Sequence, residues 1–157
     1  MGVKFELKSF IMTVNQKNQL EIILNGELNE IERLAIELDR FAMENDLDDL
    51  IKNQVNLILE ELYTNTANYG FQGITNGSVT VKLSLIESQL KMTYQDNGIA
   101  FNPLEMEEPD LMLSVDDRAI GGLGVFFVKA LTDHVEYHRV GEFNQIVMQK
   151  TILDKAF

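Results

Sequence analysis

The chain has no cysteine, only two prolines and no long apolar run among its 157 residues. Without cysteine it can form neither a disulfide framework nor a thiolate metal site, which is compatible with a reducing cytoplasm. A membrane-spanning helix needs ~18 consecutive apolar residues, and no segment approaches that length. Residues 1–10 alternate charged and apolar side chains, so we expect neither a secretory signal nor association with a membrane.

Positive charge is also scarce, because 13 lysines and arginines stand against 25 aspartates and glutamates and leave a formal net charge of −12. This balance argues against direct binding of nucleic acid, since no basic face could neutralise its phosphates. A smaller phosphate ligand is still compatible with the charge if a metal ion, backbone amides and a helix dipole bind it. The simplest interpretation of the charge is solubility.

Length and patterning predict a single domain over residues 1–157. Alternating apolar residues indicate strands, and apolar residues three and four apart indicate helices. Strands are predicted over 3–7, 20–24, 79–85, 90–96, 135–140 and 145–153, and helices over 28–45, 50–70 and 123–131. The last helix is apolar almost all round, so we expect it to be buried. Because the strands are grouped, the order predicts an α+β fold, a two-layer α/β sandwich with helices on one face of a mixed, mostly antiparallel sheet.

Glu61 and Asn65 lie four residues apart on the second predicted helix, so their side chains share one face. They stand at the edge of the apolar stripe formed by Ile58, Leu62 and Thr66. Magnesium prefers oxygen ligands and retains several waters, so one Asn oxygen together with phosphate oxygens would suit it. For this dyad alone, a solvated pair on a helix surface is the simpler interpretation.

Asp96 ends a predicted strand on which Leu90, Met92 and Tyr94 point to the same face. A carboxylate on that inward face is costly unless a hydrogen-bond donor meets it, and the exocyclic amine of adenine is such a donor. Gly98 would let the backbone pass close to a flat ring. The alternative is that the strand ends earlier and these residues form only a turn.

A glycine-rich stretch, Gly121, Gly122, Leu123 and Gly124, precedes the third predicted helix. Backbone amides at a helix N-terminus favour phosphate, although close helix packing also explains many such glycines. The stretch matches neither a P-loop nor the dinucleotide-binding fingerprint. It follows a polar, acidic segment over residues 102–120 that is long for a loop in a compact domain, which indicates either function or disorder.

Taken together and in this order, the three motifs resemble the GHKL ATP-binding fold of histidine kinases, gyrase-type ATPases and heat-shock chaperones. In detail, the residues within and around these motifs are similar to those of the bacterial anti-sigma-factor serine kinases of the RsbW type. The resemblance covers the chain from the first helix to the C-terminus. The stretches that carry it are residues 60–65, 69–70, 96–103, 121–124 and 128–133, with Asn144.

The resemblance implies ATP and Mg²⁺ as cofactors, with Glu61 as the catalytic residue that activates a serine hydroxyl. It implies that Asn65 holds the magnesium and that Asp96 reads adenine. The glycines would border a mobile ATP lid over about residues 105–120. The other nucleotide-binding positions are Gly98, Phe101, Arg118, Gly121, Gly122, Leu123 and Gly124.

Three functions remain open at this point. The first is an ATP- and magnesium-dependent serine protein kinase and anti-sigma factor that phosphorylates a STAS-type anti-anti-sigma partner and binds a sigma factor, with a homodimer left open. The second is a module that binds ATP and a partner without transfer, which the acidic lid favours because Arg118 is its only basic residue. The third is the catalytic domain of a histidine kinase. The only histidines, His134 and His138, do not precede the ATP motifs, and we expect them at the surface.

Overall fold

A computed structural model of the chain describes residues 13–107, 110, 112 and 122–153. Six strands of this part form one sheet in the order β1-β2-β3-β4-β6-β5, and every pairing is antiparallel. The strands are β1 (Thr13–Gln16), β2 (Gln19–Leu24), β3 (Val79–Ile86), β4 (Gln89–Asp96), β5 (His134–Val140) and β6 (Phe143–Thr151).

Three helices form the second layer, and they are α1 (Glu30–Glu44), α2 (Asp49–Asn65) and α3 (Gly122–Leu131). Asp48 caps α2, where its carboxylate accepts a hydrogen bond from the Ile51 amide at 2.8 Å. None of the described helices is long and apolar enough to cross a membrane.

One apolar core lies between the sheet and the helices. Because side chains alternate along a strand, every second residue of β2, β3, β4 and β6 points into it. The buried core residues on the sheet are Leu20, Ile22, Leu24, Val79, Val81, Leu83, Leu90, Met92, Tyr94, Ile146 and Met148. The α1 and α2 residues that meet them are Leu34, Leu38, Phe41, Val55, Ile58, Leu59, Leu62 and Tyr63. The predicted two-layer α+β architecture is therefore confirmed, with an antiparallel sheet in place of a mixed one.

The strand predicted over residues 3–7 lies outside the described residues, and no predicted strand corresponds to β1. Two local predictions differ from the structure. The third helix is not buried all round, because only one side of α3 faces α2; Val125 and Val128 are buried while Lys129 is exposed. The second helix also does not continue unchanged to its predicted end. It is α-helical to Asn65 and then widens into a π-helical turn over Thr66–Gly70.

A buried hydroxyl pair ties this π-helical turn to the centre of the sheet. The Tyr94 hydroxyl on β4 lies 2.8 Å from Oγ1 of Thr66, and Thr66 donates to the Leu62 carbonyl at 3.0 Å. Both side chains are buried. These hydrogen bonds hold the π-helical turn against the sheet. Turns of this kind often lie at functional sites.

Removing the Tyr94 hydroxyl should destabilise the fold while preserving its packing. We expect Tyr94→Phe to lower the free energy of unfolding by about 1–2 kcal/mol, because Thr66 loses a buried hydrogen-bond partner. Tyr69→Phe is the matched control, since Tyr69 is 49% exposed and should change stability by less than about 0.5 kcal/mol. Urea unfolding of both variants measures the difference, and equal stabilities would contradict a structural role for the pair.

Candidate functional site

A cavity of about 260 Å³ opens where the C-terminal end of α2 meets the end of β4 and the start of β6. Its walls are mostly apolar, and the loop after β4 closes one side. The polar side chains in these walls include those of Asn65, Thr66, Asp96 and Asn144. A concave, mostly apolar pocket with a few converging polar groups is the usual form of a small-molecule site.

Asp96 places a carboxylate in the wall of this mostly apolar cavity. Only 7% of the residue is exposed, which confirms that it points to the same face as Tyr94 and the other inward residues of β4. Its Oδ1 accepts hydrogen bonds from the Gly98 amide and from Nδ2 of Asn144, each at 2.9 Å. Within the described residues no donor reaches Oδ2. Burial raises the pKa of Asp96 even though these two donors and nearby Arg139 act to lower it.

The loop after Asp96 packs tightly on the π-helical turn, and Gly98 makes that approach possible. The Ile99 amide donates to the Gly70 carbonyl at 2.9 Å. A Cβ atom at Gly98 would lie 2.6 Å from the same carbonyl oxygen and 2.8 Å from Oδ1 of Asp96. No side chain fits there, so the glycine is required by close backbone packing.

Asn144 connects the three chain segments around this carboxylate. Its Nδ2 donates to Asp96 Oδ1 and, at 2.7 Å, to the Ile99 carbonyl. Its Oδ1 accepts from three donors, which are the Phe101 amide at 3.1 Å, the Tyr137 hydroxyl at 2.7 Å and the Arg139 guanidinium at 3.1 Å. The sequence motifs include Asn144 but assign it no role. The signal that could have found it is the alternation of β6, where Asn144 shares the inward face with Ile146 and Met148.

Glu61 and Asn65 lie where α2 meets α3, beside Gly124. A Cβ atom at Gly124 would lie 3.0 Å from Nδ2 of Asn65 and 3.3 Å from Cβ of Glu61, so the absence of a side chain lets the two helices approach closely. Asn65 lines the cavity, whereas Glu61 is not part of its wall. Neither side chain has a hydrogen bond or ion pair within the part of the chain described. Burial, followed by the charge of Glu60, raises the pKa of Glu61.

The other predicted site residues divide between placed and unplaced positions. Phe101 lines the cavity and is 51% exposed. Gly122 and Leu123 are the first residues of α3. Arg118 and Gly121 lie outside the described residues, as does most of the lid predicted over about residues 105–120.

The two histidines are exposed, as expected, and lie on the edge of the sheet away from the cavity wall. Both belong to β5 and hydrogen-bond to opposite oxygens of Glu136. These hydrogen bonds lower the pKa of Glu136.

Comparison with known proteins shows the family to which the chain is related. The profile described as the histidine kinase-like ATPase domain matches residues 24–150. The chain belongs to this family. The matched segment of this histidine kinase-like ATPase domain extends from the end of β2 almost to the end of β6. It therefore contains every residue named around the cavity.

Relatives of this histidine kinase-like ATPase domain include two kinds of bacterial protein. The serine-protein kinase RsbW of Listeria monocytogenes serovar 1/2a is 30% identical over 103 residues, which cover 63% of this chain and 65% of the relative. The anti-sigma F factor of Clostridium perfringens strain SM101 is 22% identical over 138 residues, covering 87% of this chain and 97% of the relative. The chain thus spans slightly less than two thirds of the RsbW kinase.

A solved structure supports the fold. The histidine kinase domain of the blue-light-activated histidine kinase EL346 from Erythrobacter litoralis superposes with a TM-score of 0.51 at 16% identity. The superposition covers 80% of this chain and 60% of that one. At this identity the similarity speaks for the fold alone.

Adding one methyl group at Gly98 should disturb the loop that shapes the cavity. We expect Gly98→Ala to lower the free energy of unfolding by about 1–3 kcal/mol, because the new Cβ overlaps the Gly70 carbonyl and the Asp96 carboxylate. Ala100→Ser, at an exposed position of the same loop, serves as the control and should be nearly neutral. Chemical denaturation of both proteins makes the comparison, and a stable Gly98→Ala variant would mean that the loop is free to move away.

Proposed function

We propose that this domain binds ATP in the cavity, with Oδ2 of Asp96 accepting a hydrogen bond from the amine of adenine. The observation that carries the proposal is a buried carboxylate oxygen for which the described residues supply no donor. A buried acceptor without a partner costs free energy, and a ligand donor would remove that cost. The apolar walls suit a flat heterocycle, and the half-exposed side chains of Ile99 and Phe101 would lose contact with water when it binds.

The donor set also fits magnesium carried in with phosphates. The described residues contain no group of three or more His, Cys, Asp or Glu side chains placed to hold a metal, so the ion would depend on ligands that the nucleotide brings. Magnesium commonly binds in this way, with one or two protein oxygens, phosphate oxygens and retained waters. Asn65 offers an amide oxygen on the cavity wall. When bound, the ion would neutralise charge on the phosphates.

Glu61 is the proposed catalytic base. Its side chain is one helical turn from Asn65 on α2, and partial burial, followed by the charge of Glu60, raises its pKa. A carboxylate with a raised pKa accepts a proton more strongly than an exposed carboxylate does. Phosphoryl transfer needs little protein chemistry beyond positioning and such a group. Glu61 would accept the proton of a serine hydroxyl while the serine oxygen bonds to the γ-phosphorus of ATP. At the same time the bond between the γ-phosphorus and the oxygen of ADP would break.

We further propose that the protein acceptor is a STAS-type anti-anti-sigma protein and that the domain also binds a sigma factor. In this proposal the chain acts as a single domain in the cytoplasm. The support is the pair of relatives, one of which is a serine-protein kinase and the other an anti-sigma factor. Binding of ATP and a partner without transfer, or transfer to histidine, are the outcomes that would replace this proposal.

Asp96→Asn separates ligand recognition from stability. The folded pKa of Asp96 is raised above its ordinary value of 3.8, so its ionised form is less favourable in the folded state than in the unfolded chain. Wild-type stability should therefore fall as the pH rises from about 3.8 through the raised folded pKa, and the Asn variant should lack that fall. At pH 7 the ligand-free variant should be at least as stable as wild type.

In the same variant, ATP affinity should decrease roughly tenfold or more, because the acceptor for the adenine amine becomes a donor. Calorimetric titration with ATP and GTP, alongside urea unfolding at pH 4 and pH 7, measures both effects. Asp39→Asn, at an exposed position on α1, is the control for affinity. Unchanged affinity and an unchanged preference for ATP over GTP would remove Asp96 from the binding site.

Glu61 and Asn65 should fail in different ways. Glu61→Gln should bind ATP normally while phosphoryl transfer falls roughly 10²–10⁴-fold, the usual contribution of a general base. Asn65→Ala should weaken the magnesium-dependent part of ATP binding itself. Glu44→Gln is the matched control, because it makes the same change at an exposed position on α1. Transfer is measured with labelled ATP and a STAS-domain substrate. A wild-type protein that binds both but labels neither serine nor histidine is a binding module, and label on histidine would indicate a histidine kinase.

A further inference from the structure

We propose that Asn144 is a positioning residue for base recognition. Its side-chain amide would determine which oxygen of Asp96 meets the ligand, and it would also hold the loop after β4 over the cavity. The inference rests on the proposed function, because it concerns how the ATP site would read a base. Asn144 would act on the ligand entirely through Asp96 and the loop.

The hydrogen bonds of Asn144 fix its orientation. A side-chain amide has two N–H donors and one oxygen with two lone pairs. Three donors converge on the oxygen, while a carboxylate and the Ile99 carbonyl lie at the nitrogen. Turning the amide over would place N–H against N–H and O–H, so only one orientation satisfies all five contacts. With 6% of the residue exposed, Asn144 has no donor left to offer a ligand.

This orientation decides what Asp96 presents. Nδ2 of Asn144 and the Gly98 amide both donate to Oδ1 of Asp96, and Oδ2 keeps its lone pairs free within the described residues. The cavity therefore shows a ligand one acceptor and no matching donor from this pair. A base edge that carries an amine would be accepted, and one that carries a carbonyl would be rejected because two acceptors would meet without a hydrogen.

The same amide also holds the loop that covers one side of the cavity. The Ile99 carbonyl and the Phe101 amide bond to the two ends of the Asn144 side chain. The side chains of Ile99 and Phe101 are 48% and 51% exposed, so little side-chain burial anchors this part of the loop. The base-reading oxygen and the apolar cover are consequently positioned by one residue.

The charged and titratable groups around Asp96 define how Asn144 should affect its ionisation. On β5, Arg139 donates to both the Gly98 carbonyl and Asn144, and its positive charge favours ionised Asp96. On β4, burial keeps the pKa of Tyr94 well above its usual value, so that hydroxyl stays neutral. Tyr137 on β5 donates to Asn144. Losing the Nδ2 donor would remove one of the interactions that oppose the effect of burial on Asp96.

Asn144→Asp tests the proposal with almost no change of shape. It places a second carboxyl group against Oδ1 of Asp96, and repulsion between two such carboxylates raises the pKa at which the pair loses its last proton. We expect the pH at which half of the magnesium–ATP binding is lost to rise by about one unit or more, and affinity at pH 7 to fall roughly tenfold or more. Asn144→Ser, which shortens the side chain, should shift the pH profile in the same direction and serves if the Asp variant does not fold.

The neighbouring residue provides a matched control. Gln145 also donates an amide hydrogen across to β4, where Gln95 accepts it at 3.2 Å, but it points to the opposite face of the sheet. Gln145→Glu makes the same amide-to-acid change and should leave ATP affinity, pH profile and the preference for ATP over GTP unaltered. Asn144 variants whose binding and pH profile match those of wild type would overturn the proposal.

Exchanging the two residues distinguishes positioning from simple structural support. The double variant Asp96→Asn with Asn144→Asp restores a donor–acceptor pair, so unfolding measurements should show recovered stability relative to Asn144→Asp alone. ATP affinity and the preference for ATP over GTP should remain impaired, because residue 96 no longer presents a carboxylate. Recovery of stability and nucleotide selectivity together would show that Asn144 only supports the fold.

A measurement without nucleotide separates this inference from the proposed function. Titration of the Asp96 carboxyl carbon by NMR should give a higher midpoint in both Asn144 variants than in wild type and Gln145→Glu. If wild type binds no ATP, the proposed function fails, while the NMR midpoints still decide whether Asn144 controls Asp96. Equal midpoints in all four proteins would overturn the inference even if ATP binds.

Discussion

The arrangement of the site depends on the hydrogen bonds that the buried carboxylate of Asp96 accepts. An ionised group on the inward face of a central strand opposes folding unless donors surround it. Two donors meet one oxygen, one from the loop immediately after the strand and one from the adjacent strand β6. The antiparallel register places Asn144 directly opposite Asp96, so the donor is supplied by sheet pairing and needs no separate element. The remaining oxygen has no donor among the described residues and belongs to a side chain that lines the mostly apolar cavity.

The opposite wall of the cavity has a different origin. Here α2 widens into the π-helical turn of Thr66–Gly70, and two contacts hold the turn against the sheet. One is the hydroxyl pair of Tyr94 and Thr66, and the other is the close packing of Gly98 on the Gly70 carbonyl. Both contacts involve the end of β4 or the loop that follows it. The strand that provides the polar group therefore also positions the helix end facing it, which keeps the two walls in a fixed relation.

The sequence predicts these parts unequally, and the reasons are physical. The alternation of β3 and β4 and the helical stripes of α1 and α2 predict the two-layer fold, and the same alternation places Asp96 inward. The rule would also have marked Asn144, but a polar residue at the start of a strand is easily taken for part of a turn. The π-helical turn leaves no local signature, because its residues are compatible with an ordinary helix until Tyr94 and Gly98 pack against it. Composition alone overestimates the burial of α3, because it does not reveal that Lys129 and Ala130 lie on a side that the described residues leave exposed.

The widened turn at the end of α2 has a consequence for insertions and deletions. A π-helical turn contains one residue more than the α-helical turn it replaces, and each α-helical residue advances the chain by about 100° around the axis. Deleting a single residue between Thr66 and Gly70 would let α2 continue as a regular helix and would rotate everything after it by that angle. Tyr69 and the Gly70 carbonyl would then face away from the loop that follows β4. Chain length in this short segment is therefore constrained more strictly than the identity of its exposed residues.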